Sequence, residues 1–225
     1  MKKTMACAAV LFALFGASAN AELLAEWSVD GLTGGFAANP IWTNTTVATG
    51  MDSVSAIAKL DETKTNSSYY GDTQMTFKLQ NNTTINLDRY VQVFVAPETG
   101  QEMSLSNFSF NVWSTSSGAQ NAAVRSSLDG FSSDLASFAI NRSANNRSLV
   151  DLSGGGDFDN LNSSLEFRIY LWNAQGLQTA YFTDGTGTNA IAVDGTVSAI
   201  PEPATLGMLG VAVAGLLFVR KRFLI

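Results

Sequence analysis

The chain has 225 residues and a formal net charge of −6, with no histidine and a single cysteine, Cys7. The lack of histidine excludes Ser-His-Asp and Cys-His catalysis, and it excludes histidine-based zinc or iron sites. Between positions 22 and 200, 8 Lys and Arg residues stand against 18 Asp and Glu residues, a net charge of −10. Because phosphate binding needs clustered cations, this acidic stretch argues against a nucleic-acid partner.

The N-terminus has the three parts of a secretory signal peptide. A basic pair at positions 2 and 3 precedes an apolar run from Met5 to Ala17, and an A-x-A cleavage site with Ala19 and Ala21 follows. We predict that residues 1–21 are removed by signal peptidase after passage through the general secretion machinery. Cys7 leaves with them, so the mature chain has neither a disulfide nor a cysteine-based metal site to stabilise it.

The sequence pattern predicts one all-β domain over residues 22–198. Apolar and polar residues alternate at Tyr90–Val95, Leu105–Trp113 and Leu165–Trp172, which predicts half-buried strands. No window before the C-terminal tail has a helical period. We predict a two-sheet β-sandwich of the jelly-roll type. The turn signals are Asp129-Gly130, Gly154-Gly155-Gly156, Asp184-Gly185 and Asp194-Gly195.

The tail, residues 199–225, has three elements in order: Pro201-Glu202-Pro203, an uncharged apolar run from Ala204 to Val219, and Arg220-Lys221-Arg222. A membrane helix needs about 20 apolar residues. This run is short, so we expect either Phe223-Leu224-Ile225 or snorkelling basic side chains to extend it into a single transmembrane helix. Cationic residues favour the cytoplasmic side, which places the C-terminus inside and the β domain outside.

These three elements resemble the PEP-CTERM sorting signal of bacterial proteins. The resemblance implies recognition of Pro201, Glu202 and Pro203 by exosortase, a membrane cysteine enzyme that cleaves near the tripeptide. Arg220, Lys221 and Arg222 then form the cytoplasmic basic stop. Family members are exported proteins of Gram-negative bacteria, found at the surface or with exopolysaccharide, so the expected tether to the inner membrane is transient.

A second resemblance covers most of the β domain. Five segments are similar to strands of PEP-CTERM ectodomains that carry a jelly roll like that of carbohydrate-binding modules and usually have no assigned activity. Such modules often hold a structural Ca²⁺ near the first and last strands, and Asn189 stands where they have an Asp. The segments are Ala25–Gly34, Leu105–Trp113, Ala123–Phe131, Leu165–Tyr170 and Ala192–Val197.

Alternate residues on two predicted strands suggest a sugar-binding surface. Aromatic rings cover the C–H face of a sugar, and amides and charges meet its hydroxyls. If the two faces adjoin, they form one polar surface with aromatic plates; otherwise the Trp residues pack under loops, and Glu166 and Arg168 form a surface ion pair of little energetic value. The candidate residues are Asn111, Trp113, Glu166, Arg168, Tyr170 and Trp172, with Asn107 and Ser109 beside them.

Acidic residues around the glycine triplet offer a weak calcium candidate. Asp151, Asp157 and Asp159 supply carboxylates, and Ca²⁺ takes six to eight oxygen ligands from flexible loops. The spacing does not match an EF-hand, and a solvated turn is the favoured interpretation. We predict no other cofactor.

Catalysis is not expected. Glycosidases need two carboxylates about 5–10 Å apart, but the E-x-D-x-x-E run of laminarinase-type jelly rolls is absent, since Phe167 and Arg168 follow Glu166. We therefore predict an exported, non-enzymatic structural or adhesive component of the cell surface or extracellular matrix. The alternative is a glycan-binding module that retains the protein in exopolysaccharide, and a carboxylate-dependent enzyme is a more distant one.

Overall fold

The computed structural model describes residues 21–29, 42–59, 74–79, 83–142, 146–175 and 178–200. Within these ranges the chain forms twelve β-strands and one 3₁₀ turn at Ser127–Asp129. The strands are β1 (Glu22–Ser28), β2 (Thr43–Val47), β3 (Met51–Lys59), β4 (Gln74–Leu79), β5 (Tyr90–Pro97), β6 (Gln101–Ser114), β7 (Asn121–Ser126), β8 (Ala136–Ala139), β9 (Asn146–Asp151), β10 (Leu165–Trp172), β11 (Gln178–Thr183) and β12 (Ile191–Ala199).

The strands form two antiparallel sheets. The seven-stranded sheet has the order β2-β1-β12-β6-β11-β4, and β9 also pairs with β6. The five-stranded sheet has the order β3-β5-β10-β7-β8. The three strands that alternation predicted are β5, part of β6, and β10, so the all-β, two-sheet prediction is confirmed. The jelly-roll subtype and the likeness to carbohydrate-binding modules stay predictions.

Aromatic side chains from both sheets meet in one core. The Phe108 ring of β6 stacks on the Phe167 ring of β10 with centroids 4.7 Å apart. Phe110 meets Phe138 of β8 edge-on at 5.7 Å. Since successive side chains of a strand point to opposite faces, the polar alternates on β6 and β10 point away from this core. The apolar alternates of the same two strands are all buried: Phe108, Phe110, Val112, Phe167, Ile169 and Leu171.

Three of the four turn signals lie between strands, as predicted. Gly130 and Gly156 adopt positive φ angles of 68° and 74°, which glycine tolerates best. The backbone N–H of Gly185 donates to the carbonyl of Thr188 at 2.7 Å and closes a tight loop.

The predicted turn at Asp194-Gly195 is wrong. Both residues lie inside β12, where the pairing with β6 shifts register. A Cβ on Gly195 would overlap the carbonyl oxygen of Ser104 and lie 3.0 Å from Leu105 Cα. Glycine here permits a bulge and a close backbone approach rather than a reversal of the chain.

The two ends of the chain fall largely outside the described residues. The signal-peptide prediction, including Ala19, and the transmembrane prediction for 204–219 are therefore untested, and Ala21 is exposed. No helix in the described ranges is long and apolar enough to cross a membrane. β12 ends at Ala199, and the N–H of Ile200 still donates to the Gly100 carbonyl at 2.9 Å.

Candidate functional site

The predicted sugar-binding surface is divided between the two sheets. Asn111 and Trp113 belong to β6 of the seven-stranded sheet, whereas Glu166, Arg168 and Trp172 belong to β10 of the five-stranded sheet. Because the inner faces of these strands meet in the core, their outer faces lie on opposite sides of the sandwich. The two faces therefore do not adjoin, and they do not form one surface.

The outer face of the five-stranded sheet carries a layer of arginines and aromatic rings. The guanidinium carbon of Arg168 lies 3.6 Å from the centroid of the Phe131 ring and 4.3 Å from that of Tyr90. Arg125 lies 5.4 Å from the ring centroid of Tyr170, whose side chain is almost fully buried. We call Tyr90, Arg125, Phe131, Arg168 and Tyr170 the arginine–aromatic layer; its rings already face cations of the same chain.

Two ion pairs fix the arginines of this layer. Arg168 Nε lies 2.6 Å from Glu166 Oε1, and Arg125 Nε lies 2.6 Å from Asp134 Oδ1. Burial alone would lower the pKa of Arg168, but the hydrogen bond to Glu166 and its charge, together with the contributions of Tyr170 and Tyr90, outweigh burial and raise that pKa. The Glu166–Arg168 pair is only about one quarter exposed, so it is a packed part of the layer.

The outer face of the seven-stranded sheet presents a different aromatic arrangement. Trp113 of β6 and Tyr181 of β11 are cross-strand neighbours. Their rings stack with centroids 4.3 Å apart and an interplanar angle of 17°. Both side chains are half-buried. The sequence pattern pointed to Trp113 but not to Tyr181, because the two residues come together only through the pairing of β6 with β11.

Asn111 is a structural residue of this sheet. It is 3% exposed, and its Nδ2 donates to the Asn189 carbonyl at 3.1 Å and to Thr188 Oγ1 at 3.3 Å. The amide therefore ties β6 to the loop before β12. A ligand at the surface has little access to it.

Asp184 holds the other end of the same loop. The sequence predicted a turn at this position but no role for the Asp184 side chain. Its Oδ2 accepts from Ser28 Oγ at 2.6 Å and from Val29 N at 3.2 Å, and its Oδ1 accepts from Ala190 N at 2.7 Å. One carboxylate thus joins the end of β1 to the start of β12.

The three calcium candidates lie in or beside the loop from β9 to β10. Asp151 accepts hydrogen bonds from the N–H and hydroxyl of Ser153, at 2.9 and 2.6 Å, and this hydroxyl lowers the pKa of Asp151. Asp157 and Asp159 are exposed. Among the described residues no group of three or more His, Cys, Asp and Glu could hold a metal ion.

A cavity of about 370 Å³ opens at one end of the sandwich. We call it the end cavity. The segment from β7 to β8 forms one wall and the loop from β9 to β10 forms the other. Asp157 lines this cavity together with residues of the β7–β8 segment. Nothing in the sequence indicated that these two segments lie close together. The residues that line the cavity are Ser126, Leu128, Asp129, Ser133, Leu135, Asp157 and Phe158.

The comparisons with known proteins concern the tail. Residues 199–222 match the family model of the PEP-CTERM protein-sorting motif. No curated protein matches the chain. The matched segment contains Pro201–Pro203 and Arg220–Arg222, as the resemblance implied, and it starts at the last residue of β12. The chain therefore carries a C-terminal PEP-CTERM motif, which supports exosortase-sorted export and implies exosortase as a partner.

Proposed function

We propose that this protein is an exosortase substrate whose β-sandwich is a non-catalytic structural or adhesive component. It is exported, tethered transiently to the inner membrane, and left at the cell surface or in the extracellular matrix of a Gram-negative bacterium. The observation that carries the proposal is the PEP-CTERM match at residues 199–222. In this proposal the β-sandwich is the mature domain, and the tail is the sorting segment that exosortase removes.

The boundary between the β-sandwich and the sorting tail supports this proposal. β12 lies between β1 and β6 in the seven-stranded sheet, and its pairing with β6 continues to Ala199 and Gln101. The matched motif begins at that same residue. Cleavage at or beyond Pro201 would leave every described strand in place, so removal of the tail is compatible with a folded mature domain.

The arrangement of carboxylates supports a non-catalytic role. Glu166 is paired with Arg168, and Asp184 accepts three hydrogen bonds that join β1 to β12. Asp151 caps the turn that follows β9. These acids have structural partners, whereas a hydrolase needs one free to act as nucleophile or base.

The test is mass spectrometry of the protein recovered from its native host. We expect an N-terminus at Glu22 and no peptide from 206–219, with the intact tail retained when exosortase is deleted. Glu202→Ala should block removal of the tail. Glu98→Ala is the matched control, because this exposed residue lies in the turn next to Ile200 but outside the motif. An intact tail on the mature surface protein would refute exosortase processing.

Glycan binding is a second candidate, favoured by the stacked pair of Trp113 and Tyr181 on the seven-stranded sheet. The two stacked rings cover each other's inner faces, so a sugar would pack on an outer face of the pair. The purified mature protein should then be retarded in gels that contain the host polysaccharide. Trp113→Ala should abolish the retardation, whereas Trp172→Ala, on the opposite sheet, should not. Equal mobility with and without polysaccharide would favour the purely structural role.

A further inference from the structure

The C-terminal end of β12 is held in the sheet up to the last described residue. Ala199 pairs with Gln101 of β6, and the N–H of Ile200 donates to the Gly100 carbonyl at 2.9 Å. We call residues Val197–Ile200 the β12 end. In the sequence, the Pro-Glu-Pro tripeptide follows directly on this hydrogen-bonded isoleucine. The sorting motif therefore starts where the folded sheet stops, with no linker between them.

Two turns from neighbouring strands fix the β12 end. Gly50, in the turn from β2 to β3, lies so close to Val197 that a Cβ added to it would be 2.7 Å from Val197 Cγ1. The N–H of Glu98, in the turn from β5 to β6, donates to the Gly50 carbonyl at 2.7 Å. Each turn joins a strand of one sheet to a strand of the other, so both sheets contribute to the position of the β12 end.

The sequence leaves only a short distance between the β12 end and the apolar run. An extended chain covers the steps from Ile200 to Ala204 in about 14 Å. In the proposed tethered state the run lies in the membrane, and the headgroup layer takes up about 6 Å of that length. The remaining gap is narrower than one α-helix with its side chains, which is about 10 Å across. A folded enzyme therefore has no room to surround the tripeptide while the β12 end stays paired.

Cleavage of a peptide bond needs direct access to the backbone. The nucleophile of the enzyme adds to the carbonyl carbon, the C–N bond breaks, the nitrogen leaves as an amine with a proton, and water then releases the new carboxylate. Proteolysis acts on a segment that has opened from the folded state, and its rate follows the population of the open form when opening is fast. Opening costs least at the ends of elements, where few hydrogen bonds are lost.

We propose that the β12 end controls the access of exosortase to the tripeptide. Release of Ala199 and Ile200 from β6 adds about 7 Å to the free segment, which widens the gap beyond the width of a helix. The rate of tail removal then follows the population of this open end. This inference rests on the proposed function, because exosortase must be the enzyme that removes the tail.

An inserted spacer tests the proposal in the full chain, expressed in its native host. Gly-Ser-Gly-Ser between Ile200 and Pro201 moves the tripeptide away from the sheet. We expect pulse-chase labelling to show tail removal about fivefold faster, the factor for one net backbone hydrogen bond that no longer has to open. The same insertion between Gly154 and Gly155 is the matched control, because a Cβ at Gly154 meets nothing within 4 Å. Thermal unfolding checks that both variants fold.

The outcomes of this experiment separate two kinds of failure. Unchanged or slower tail removal with the spacer, or equal acceleration by the control insertion, would overturn the proposal. A wild-type tail whose removal does not depend on exosortase would instead refute the proposed function.

A substitution that loosens the β12 end provides a second test. Gly50→Ala places a methyl group against Val197 and should speed tail removal. Gly187→Ala is its matched control, because Gly187 also has a positive φ, 72° against 92°, but a Cβ there would meet nothing within 4 Å. Both variants carry the same kind of backbone strain, so only the contact with β12 distinguishes them. If both fold and Gly50→Ala is processed no faster than Gly187→Ala, the proposal is overturned.

Discussion

The two sheets of the sandwich are stabilised in different ways. The seven-stranded sheet depends on close backbone contact at Gly195 and on the polar side chains of Asn111 and Asp184, which tie loops to strands. The five-stranded sheet carries the arginine–aromatic layer on its outer face, where long side chains pack over rings. A backbone contact has no room to adjust, whereas a long side chain can rearrange. We therefore expect substitutions to cost more stability in the seven-stranded sheet.

The largest expected effect is that of Gly195→Ala. The added methyl group overlaps the Ser104 carbonyl, a backbone atom that cannot move alone. We expect the free energy of unfolding, measured in urea, to fall by about 3 kcal/mol or more. Gly154→Ala is the control, because a Cβ at Gly154 meets nothing within 4 Å. Equal stabilities of these two variants would show that β6 and β12 separate at no cost.

The second effect concerns the carboxylate between β1 and β12. Asp184→Asn replaces one of the two carboxylate oxygens with an NH₂ group, so either the N–H of Ala190 or the N–H of Val29 and the hydroxyl of Ser28 face a donor instead of an acceptor. We expect a loss of about 2 kcal/mol in urea unfolding. Asp88→Asn, at an exposed position, should have almost no effect. A similar small change for both variants would mean that water replaces the carboxylate.

A smaller effect is expected in the arginine–aromatic layer. Arg168→Lys keeps the positive charge but loses the planar group that lies over Phe131 and Tyr90. We expect a loss of about 1 kcal/mol. Arg142→Lys, at an exposed position, is the control. If Arg168→Lys destabilised the protein more than Gly195→Ala, the ranking of the two sheets would be reversed.

The smallest expected changes in stability depend on pH, and they come from two carboxyl groups whose pKa values are shifted in opposite directions. Hydrogen bonds lower the pKa of Asp129 to about 2, whereas burial raises the pKa of Asp194 in β12. The contribution of Asp129 to stability is present above its ordinary pKa of 3.8 and is lost as the pH falls toward 2. That of Asp194 is present at low pH and is lost as the pH rises through its raised pKa.

Unfolding of two variants at about pH 7 and about pH 2 checks these signs. Asp129→Asn should lower stability more at the higher pH than at the lower. Asp194→Asn should raise stability at the higher pH, because it removes a charge that burial disfavours. Both differences should shrink at the lower pH. If both variants changed stability in the same direction at the higher pH, the opposite pKa shifts of the two carboxyl groups would be contradicted.

Alternation predicted more of the fold than of the candidate sites. It identified β5, β10 and most of β6, together with the core residues Phe108 and Phe167, because burial of one strand face leaves a period of two in the sequence. It assigned Asp194-Gly195 to a turn, because a glycine in a bulge and a glycine in a turn look alike in sequence. Strand pairing is non-local, so the proximity of Trp113 and Tyr181 had no local signal.

By itself, the sequence determined the all-β class and the sorting tail, because both are written in contiguous residues. A strand period needs only local alternation, and the motif at 199–222 is one continuous segment. Only the tertiary structure decided which side chains share a surface. It placed Trp113 and Trp172 on different sheets and brought Asp129 and Asp157 to one cavity. Sheet order and loop packing arise from burial across the whole chain, which no short segment encodes.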